Sequence, residues 1–268
     1  MSKELTVPAN EETVAALAIG FPVEEGFTRI RLPRMDYQSQ DLTEGKGKTM
    51  KVVVEAGTFS TEHPTDEENP ETGKKIWDTK EIGTEIEATI VFQRKQLSYY
   101  DEPTETYTSS PIYDNDDEII PLWRNKAEID RGTPAELKSR EEYKTTTQKG
   151  KPSSKLKDNR ILYILHEGEL YELSIHGTSM YAYKDYAKKC RPAVPAVLTV
   201  FNSESKENGS IAWNQMTFVA KRLLSDKEAV IVLEKQTELK DAISQEKSFY
   251  AGQNMPMANA ALADEFKK

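Results

Sequence analysis

The clearest succession of secondary-structure signals in this chain lies at residues 159–221, which read NRILYILHEGELYELSIHGTSMYAYKDYAKKCRPAVPAVLTVFNSESKENGSIAWNQMTFVAK. Four short apolar runs predict strands, a helical pattern lies between the second and the third, and Glu167-Gly168 predicts a tight turn between the first two. In chain order these elements are Ile161–Leu165, Leu170–His176, the helix Ser179–Cys190, Ala196–Phe201 and Ile211–Ala220. With one more strand ahead of them, they predict a five-stranded antiparallel barrel of the OB type.

The expected first strand of this barrel is Glu85–Tyr100. Alternate residues from Ile86 to Phe92 are apolar and those facing the other way are mostly polar, which is the pattern of a half-buried strand. Its sixteen residues exceed the usual strand length of about 5–6, as expected of a long, bent strand that joins both sheets of an OB barrel. Beyond Phe92 the apolar positions move to the other face, and this change of phase predicts a β-bulge near Arg94–Gln96.

We expect a mainly β (α+β) chain with one OB-like domain at residues 27–250. In this interpretation residues 1–26 form an N-terminal appendage, and residues 251–268, which are small and polar, form a flexible tail. Residues 101–157 are insertions into the barrel, and a C-terminal helix covers residues 225–247.

Local composition defines the elaborations around the barrel. Two capping boxes, Thr133–Glu136 and Ser225–Glu228, predict the starts of helices. Lys144–Lys157 contains five lysines and no acid, which predicts a flexible basic loop. Glu62–Glu71 contains five acids and two prolines, which predicts a solvated loop.

Overall composition limits the class of protein. The formal net charge of -9 argues against a generally basic nucleic-acid coat, although the charge is uneven enough to allow a local basic groove. A single cysteine, Cys190, excludes an internal disulfide, and three scattered histidines exclude a Cys/His zinc cluster. No apolar run approaches the roughly 18 residues of a membrane span, and the N-terminus lacks the apolar core of a signal peptide. We therefore expect an intracellular, cytoplasmic protein.

No catalytic motif is present, so we expect neither enzyme activity nor a cofactor. A serine nucleophile needs a histidine base, and the chain has no Gly-x-Ser-x-Gly elbow. His166 and His176 lie at a turn and at a strand end, where exposure needs no catalytic explanation. The acids of Asp114–Glu118 are dense enough to hold Mg²⁺ or Ca²⁺, but this segment lacks the glycine and distal glutamate of an EF-hand loop. Its composition favours a solvated acidic loop.

Interleaved aromatic and basic side chains give the strongest functional signal. Single strands of nucleic acid bind by stacking bases on aromatic rings while cations follow the backbone. Tyrosine and tryptophan are also normal half-buried strand residues, so each ring alone has a structural explanation. The predicted binding residues are Arg94, Lys95, Tyr99 and Tyr100, with Trp123 and Arg124 at the edge of the groove.

With these features the chain resembles phage-encoded single-stranded DNA-binding proteins of the OB fold. The resemblance covers residues 85–221, about half of the chain, together with the acidic overall charge and the tail residues Asp264-Glu265-Phe266. It implies non-enzymatic binding of single-stranded DNA in replication or recombination, in the host cytoplasm. It also implies that an acidic, Phe-bearing tail recruits replication or recombination proteins, although here Lys267 and Lys268 follow and cancel the two acidic charges.

Two other classes of function remain open. A structural or assembly protein would bind protein through the same β surface, and a metal-dependent nuclease would use the Asp114–Glu118 acids. Polyanion binding that weakens steeply with salt favours the DNA-binding hypothesis. Salt-insensitive self-association favours the assembly hypothesis, and cleavage that needs a divalent cation favours the nuclease.

Overall fold

The computed structural model describes residues 32–44, 51–68, 75–125, 127–147 and 150–253. The expected N-terminal appendage at 1–26 and residues 254–268 of the expected tail lie outside these residues. The first three residues of that tail, 251–253, are not a flexible segment but continue the C-terminal helix. Within the described ranges, no helix combines the length and the apolar character that crossing a membrane requires.

The described residues form a mainly β fold with three α-helices. The strands are β1 (Arg34–Tyr37), β2 (Leu42–Glu44), β3 (Lys51–Val54), β4 (Phe59–Glu68), β5 (Lys75–Gly83), β6 (Glu85–Asp101), β7 (Thr106–Ser109), β8 (Ile120–Arg124), β9 (Ala127–Gly132), β10 (Lys144–Thr146), β11 (Pro152–Ser154), β12 (Lys157–His166), β13 (Glu169–Ile175), β14 (Val197–Asn208) and β15 (Ile211–Leu223). The helices are α1 (Pro134–Ser139), α2 (Gly177–Lys189) and α3 (Asp226–Gln253).

A mixed sheet of eleven strands is organised around β6. Its main path runs β5-β4-β1-β13-β12-β6-β7-β8-β9, and β14 and β15 join it through β6. The first residues of β6 pair with β14, its middle pairs with β12, and its last residues pair with β7. All pairs in this sheet are antiparallel except β1 with β13. The hairpins β2–β3 and β10–β11 form two separate small sheets.

The five strands and the helix expected of the barrel are present in the expected order, but the sheet is not closed into a barrel. In the described part of the chain, β13 pairs in parallel with the short β1 instead of meeting β15. A backbone hydrogen bond from Asn214 N to Ser39 O, 2.9 Å long, links β15 to the residues that follow β1. The closed antiparallel barrel is therefore not confirmed, because an additional strand occupies the edge that closure requires.

The bulge in β6 lies at Val91, three residues before the predicted position. Tyr163 is opposite Phe92 and Ile164 is opposite Ile90, so Val91 is the extra residue. The freed carbonyl of Val91 accepts a hydrogen bond of 2.8 Å from Gln236 Nε2 of α3. The bulge therefore brings Val91 and Phe92 together against the helix, and the prediction of a bulge at residues 94–96 is wrong.

Two segments that were expected to be loops contain strands. β4 covers most of the acidic run Glu62–Glu71 and pairs with β5. The basic segment Lys144–Lys157 contains the β10–β11 hairpin, and its Leu156 is buried. Composition describes which side chains face water, but cross-strand pairing supplies backbone hydrogen bonds whatever the side-chain charge.

The sheet separates two apolar layers, because neighbouring side chains on a strand point to opposite faces. Leu162 and Ile164 of β12 pack with α2, whereas Ile161 and Tyr163 pack with α3. A third cluster lies beneath α1 and includes Leu97, Tyr113, Ile120, Leu122, Leu137, Tyr143 and Leu156. The face of the sheet that packs against α2 therefore also packs against α1 further along, and α3 covers the opposite face.

Candidate nucleic-acid interface

An open cleft of about 960 Å³ lies between α1, the β10–β11 hairpin, strands β6 and β12, and α2. Its charged lining is strongly unbalanced towards cations, although the whole chain carries a formal charge of -9. The cations are Lys95, Lys138, Lys144, Arg160 and Lys184, and the carboxylates are Asp116 and Asp158. We call this set of residues the basic cleft.

The floor of the basic cleft is set by the pairing of β6 with β12. Arg160 is directly opposite Lys95 in this antiparallel ladder, and Asp158 is two residues further along the same face. Directly opposite residues on one face of a sheet have Cβ atoms about 4.5–5.5 Å apart. The register therefore places two cations side by side although 65 residues separate them in sequence.

Helix α1 is fixed by the predicted capping box. Thr133 Oγ1 accepts a hydrogen bond from Glu136 N, and Glu136 Oε2 accepts one from Thr133 N, at 3.3 and 2.9 Å. Leu137 is fully buried and anchors the helix on its apolar cluster. The next residue, Lys138, therefore faces the cleft, where its ammonium pairs with Asp158.

The hairpin wall is held to the core through Tyr143. The Tyr143 carbonyl accepts hydrogen bonds from Lys155 N at 2.7 Å and from Ser154 Oγ at 3.2 Å. Lys144 follows directly and pairs across the hairpin with Ser154. A buried tyrosine thus determines where the first lysine of the basic segment enters the cleft.

The cations of the cleft differ in how far they are already neutralised. Lys95 Nζ donates to Asp116 Oδ2 at 2.6 Å, and Lys138 pairs with Asp158. The hydrogen bond from Lys95, with smaller electrostatic contributions including that of Arg160, lowers the pKa of Asp116 and keeps it ionised. Within the described residues, Arg160 and Lys184 have no ion pair with a carboxylate. Lys144 pairs with Glu141, so Arg160 and Lys184 are the two described cations of the cleft whose charge is not paired.

Of the residues predicted from sequence, Lys95 lines the cleft and Arg94 does not. The Arg94 side chain is 4% exposed, and its Nε donates to Asp114 Oδ1 at 2.7 Å. Its Nη2 also donates to the carbonyl of Ile112 at 3.1 Å. Since adjacent strand residues face opposite ways, β6 presents Lys95 to the cleft and Arg94 to the other side of the sheet.

Tyr99 and Tyr100, the two tyrosines predicted to bind, also lie on opposite faces of β6. The Tyr99 ring packs against the cluster beneath α1, its hydroxyl donates to Asp101 Oδ1 at 2.7 Å, and Lys155 Nζ lies 5.8 Å from its centroid. Tyr100 is 54% exposed and is opposite Tyr107 in the β6–β7 pair. Alternation places these two rings on opposite faces of β6, so one flat groove does not contain both.

Trp123 and Arg124 lie on β8, outside the lining of the cleft. The buried Nε1 of Trp123 has no hydrogen-bond partner among the described residues. Arg124 Nε donates to Thr108 Oγ1 at 2.9 Å across the β7–β8 pair. Both side chains are partly exposed, and neither contributes to the basic cleft.

Sequence reasoning missed most of the cleft. Lys144 belongs to the lysine-rich segment that composition identified, and the position of α1 follows from its capping box. Arg160 and Lys184 stand alone in the sequence, and only strand pairing and helix docking bring them to one place. No local pattern marks either residue.

Three of the four carboxylates of Asp114–Glu118 are engaged within the protein, and Asp117 is exposed. Asp114 pairs with Arg94, Asp116 pairs with Lys95, and Glu118 Oε1 accepts a hydrogen bond from Asn115 N at 2.9 Å. Among the described residues, no group of three or more His, Cys, Asp or Glu side chains is arranged to hold a metal ion. The geometry of this segment is that of an ion-paired turn.

No protein-family model, curated protein or solved structure matches the chain. Its function is therefore inferred from the chemistry of the basic cleft.

Proposed function

We propose that this chain is a non-enzymatic single-stranded nucleic-acid-binding protein, with single-stranded DNA as its ligand, and that the basic cleft is its binding site. One observation carries the proposal: an acidic chain gathers five cations from five separate helices and strands into one open cleft. Phosphate groups are the ligands that such a lining attracts most strongly, through charge and release of counterions.

The uneven pairing of the cations suggests how a strand binds. Arg160 and Lys184 bind phosphates without first breaking an ion pair. The guanidinium of Arg160 also offers a planar, bidentate fork for phosphate oxygens. A phosphate that binds Lys95 replaces Asp116 as the partner of its ammonium group. Asp116 stays ionised, so it competes with weakly bound strands for Lys95. Binding therefore selects a continuous polyanion over an isolated phosphate.

The strand order supports the same function. An OB-like arrangement is the finer form of fold that we propose, since β6, β12, β13, α2, β14 and β15 follow one another as in that fold. OB folds commonly bind single strands on their curved sheet. A role in replication or recombination, in an intracellular setting, and tail-mediated contacts with other proteins belong to this proposal as expectations of the resemblance.

The proposal is tested by fluorescence anisotropy with a labelled oligo(dT). The double charge reversal Arg160→Glu with Lys184→Glu should weaken binding roughly tenfold or more at low salt, because both changes place repulsion at the phosphates. The matched control reverses Lys227 and Lys240, two exposed lysines of α3 on the reverse side of the sheet. Net charge changes equally in both variants, so the control should bind within about twofold of wild type.

Two results would overturn the proposal. If the wild-type chain binds no single-stranded oligonucleotide at low salt, the function is wrong. If the control variant weakens binding as much as the cleft variant, net charge and not the cleft determines affinity. Circular dichroism on both variants shows that each is folded before affinity is compared.

A second candidate function, protein assembly, is favoured by exposed apolar side chains where β15 joins α3. These are Val219, Leu223, Val230, Ile231 and Leu233, each 45–61% exposed. A soluble surface seldom gathers so many large apolar side chains without a partner. Sedimentation of the wild type and of Leu233→Glu at high salt tests this candidate, which predicts self-association that the substitution removes.

A further inference from the structure

The exposed side of α2 carries an aromatic side chain directly beside the basic cleft. Tyr181 is 65% exposed, whereas Tyr183 and Tyr186 of the same helix are buried in the core. Residues three apart on a helix are neighbours on its surface, so Tyr181 adjoins Lys184 of the cleft. The Lys184 ammonium lies 6.0 Å from the centroid of the Tyr181 ring. The ring is therefore held at the cleft margin with its surface open to solvent.

A second aromatic side chain continues this line away from the cleft. Trp213 of β15 is half-buried, and its Nε1 donates to Thr178 Oγ1 at 3.2 Å. Thr178 and Tyr181 are again three residues apart on the exposed side of α2. The indole is thus fixed beside the start of the helix. Trp213, Thr178, Tyr181 and Lys184 follow one another along a single path that ends in the cleft.

We propose that Tyr181 and Trp213 form a stacking subsite for unpaired bases, continuous with the phosphate-binding cleft; this inference rests on the proposed function. A strand whose phosphates contact Lys184 has its next bases beside the Tyr181 ring, and further along beside the Trp213 indole. Base-paired nucleotides keep their flat faces covered by neighbouring pairs, so only unpaired bases gain this contact. The subsite therefore defines the ligand class as single strands and not polyanions in general.

The contact between Lys184 and Tyr181 strengthens the assignment. A cation over a tyrosine ring is attracted by the negative face of the ring. Lys184 is therefore held near the ring in the free protein and needs little reordering to meet a phosphate. Two features needed for single-strand binding, an ordered cation and an open ring, occur together on one turn of α2.

The test compares oligo(dT) with an abasic oligodeoxynucleotide of equal length, which has the same phosphates and no bases. Wild type should bind oligo(dT) more tightly. Tyr181→Ala should lower oligo(dT) affinity by roughly 5- to 150-fold, the range for loss of one stacked base, and should change abasic affinity much less, because with that probe only the ordering of Lys184 is lost. Tyr181→Phe keeps the ring and should bind both probes like wild type. Since Tyr181 is exposed, both variants should unfold at the wild-type urea concentration.

Fluorescence gives an independent readout for the second ring. The chain has three tryptophans, and oligo(dT) should quench emission in wild type and not in Trp213→Phe, whereas the abasic probe should quench neither.

If wild type binds both probes equally and still responds to the Arg160→Glu and Lys184→Glu reversal, the cleft stands and the subsite is wrong. The subsite is equally wrong if Tyr181→Ala keeps the full preference for oligo(dT). Failure of wild type to bind either probe instead overturns the proposed function.

Discussion

Removing Asp114 should destabilise the fold more than any other single change in the acidic segment. Arg94 is 4% exposed on its side chain, and its Nε is 2.7 Å from Asp114 Oδ1. The guanidinium also donates from Nη2 to the Ile112 carbonyl and is hydrogen-bonded to Tyr163, but Asp114 is the carboxylate that balances its charge. Taking away the partner of a buried charge costs about 3–5 kcal/mol. Because the Asp114 side chain is 25% exposed, Asp114→Ala should cost about 3 kcal/mol, the lower end of that range.

Urea unfolding followed by circular dichroism measures this cost. Asp117→Ala is the matched control, since Asp117 is exposed and surface substitutions usually change stability by less than about 0.5 kcal/mol. The double variant Arg94→Met with Asp114→Ala should recover most of the lost stability, because it leaves no unpaired charge in the core.

The same variants separate a structural role of Arg94 from a binding role. Arg94→Met should leave affinity for oligo(dT) per folded molecule unchanged, because this side chain faces away from the cleft. The reasoning is refuted if Asp114→Ala costs less than about 1 kcal/mol or if the double variant is no more stable than Asp114→Ala. A normal melting curve with weakened binding for Arg94→Met would restore Arg94 as a DNA contact.

Two further predictions concern stability. Burial raises the pKa of Tyr183 from 10.0 to about 12. The stability that the buried neutral hydroxyl contributes is therefore fully present below pH 10 and is lost as pH rises towards 12. Tyr183→Phe should show a shallower loss of urea stability over that interval. Gly57 and Gly168 both have φ of +86°, but a Cβ at Gly57 would lie 2.5 Å from Ser203 Oγ, whereas nothing lies within 4 Å at Gly168. Gly168→Ala should therefore cost about 1 kcal/mol, and Gly57→Ala clearly more in the same assay; equal costs would contradict the close approach.

Local signals in the sequence predict most elements near the barrel. Alternating apolar residues place β6, β12 and β13 within a few residues of their observed bounds, and the capping boxes place the starts of α1 and α3. Closure of the sheet is not a local property. The edge of β13 is occupied by β1, a strand of four residues whose pairing depends on a segment more than 130 residues away. Short strands of this kind give no pattern long enough to detect.

The candidate site shows a similar limit. Lys95 is identified by its neighbourhood of cations and rings, but the same pattern also selects Arg94, which the alternation of β6 turns into the core. Predicting the face of each residue requires the position of the bulge. A bulge at Val91 instead of residues 94–96 changes the face assigned to the residues between the two positions, which include Arg94. Arg160 reaches the cleft only through its register with Lys95, which no sequence pattern records.

The salt dependence of oligo(dT) affinity tests the central claim most directly. If all five cleft cations contact phosphates, the logarithm of the association constant should fall against the logarithm of salt concentration with a slope of about -3.5. Affinity should then drop about 100-fold between about 50 mM and 200 mM salt. Arg160→Ala with Lys184→Ala should make the slope shallower by about 1.4. A wild-type affinity that does not change with salt, or an identical slope in the double variant, would contradict binding of nucleic acid in the basic cleft.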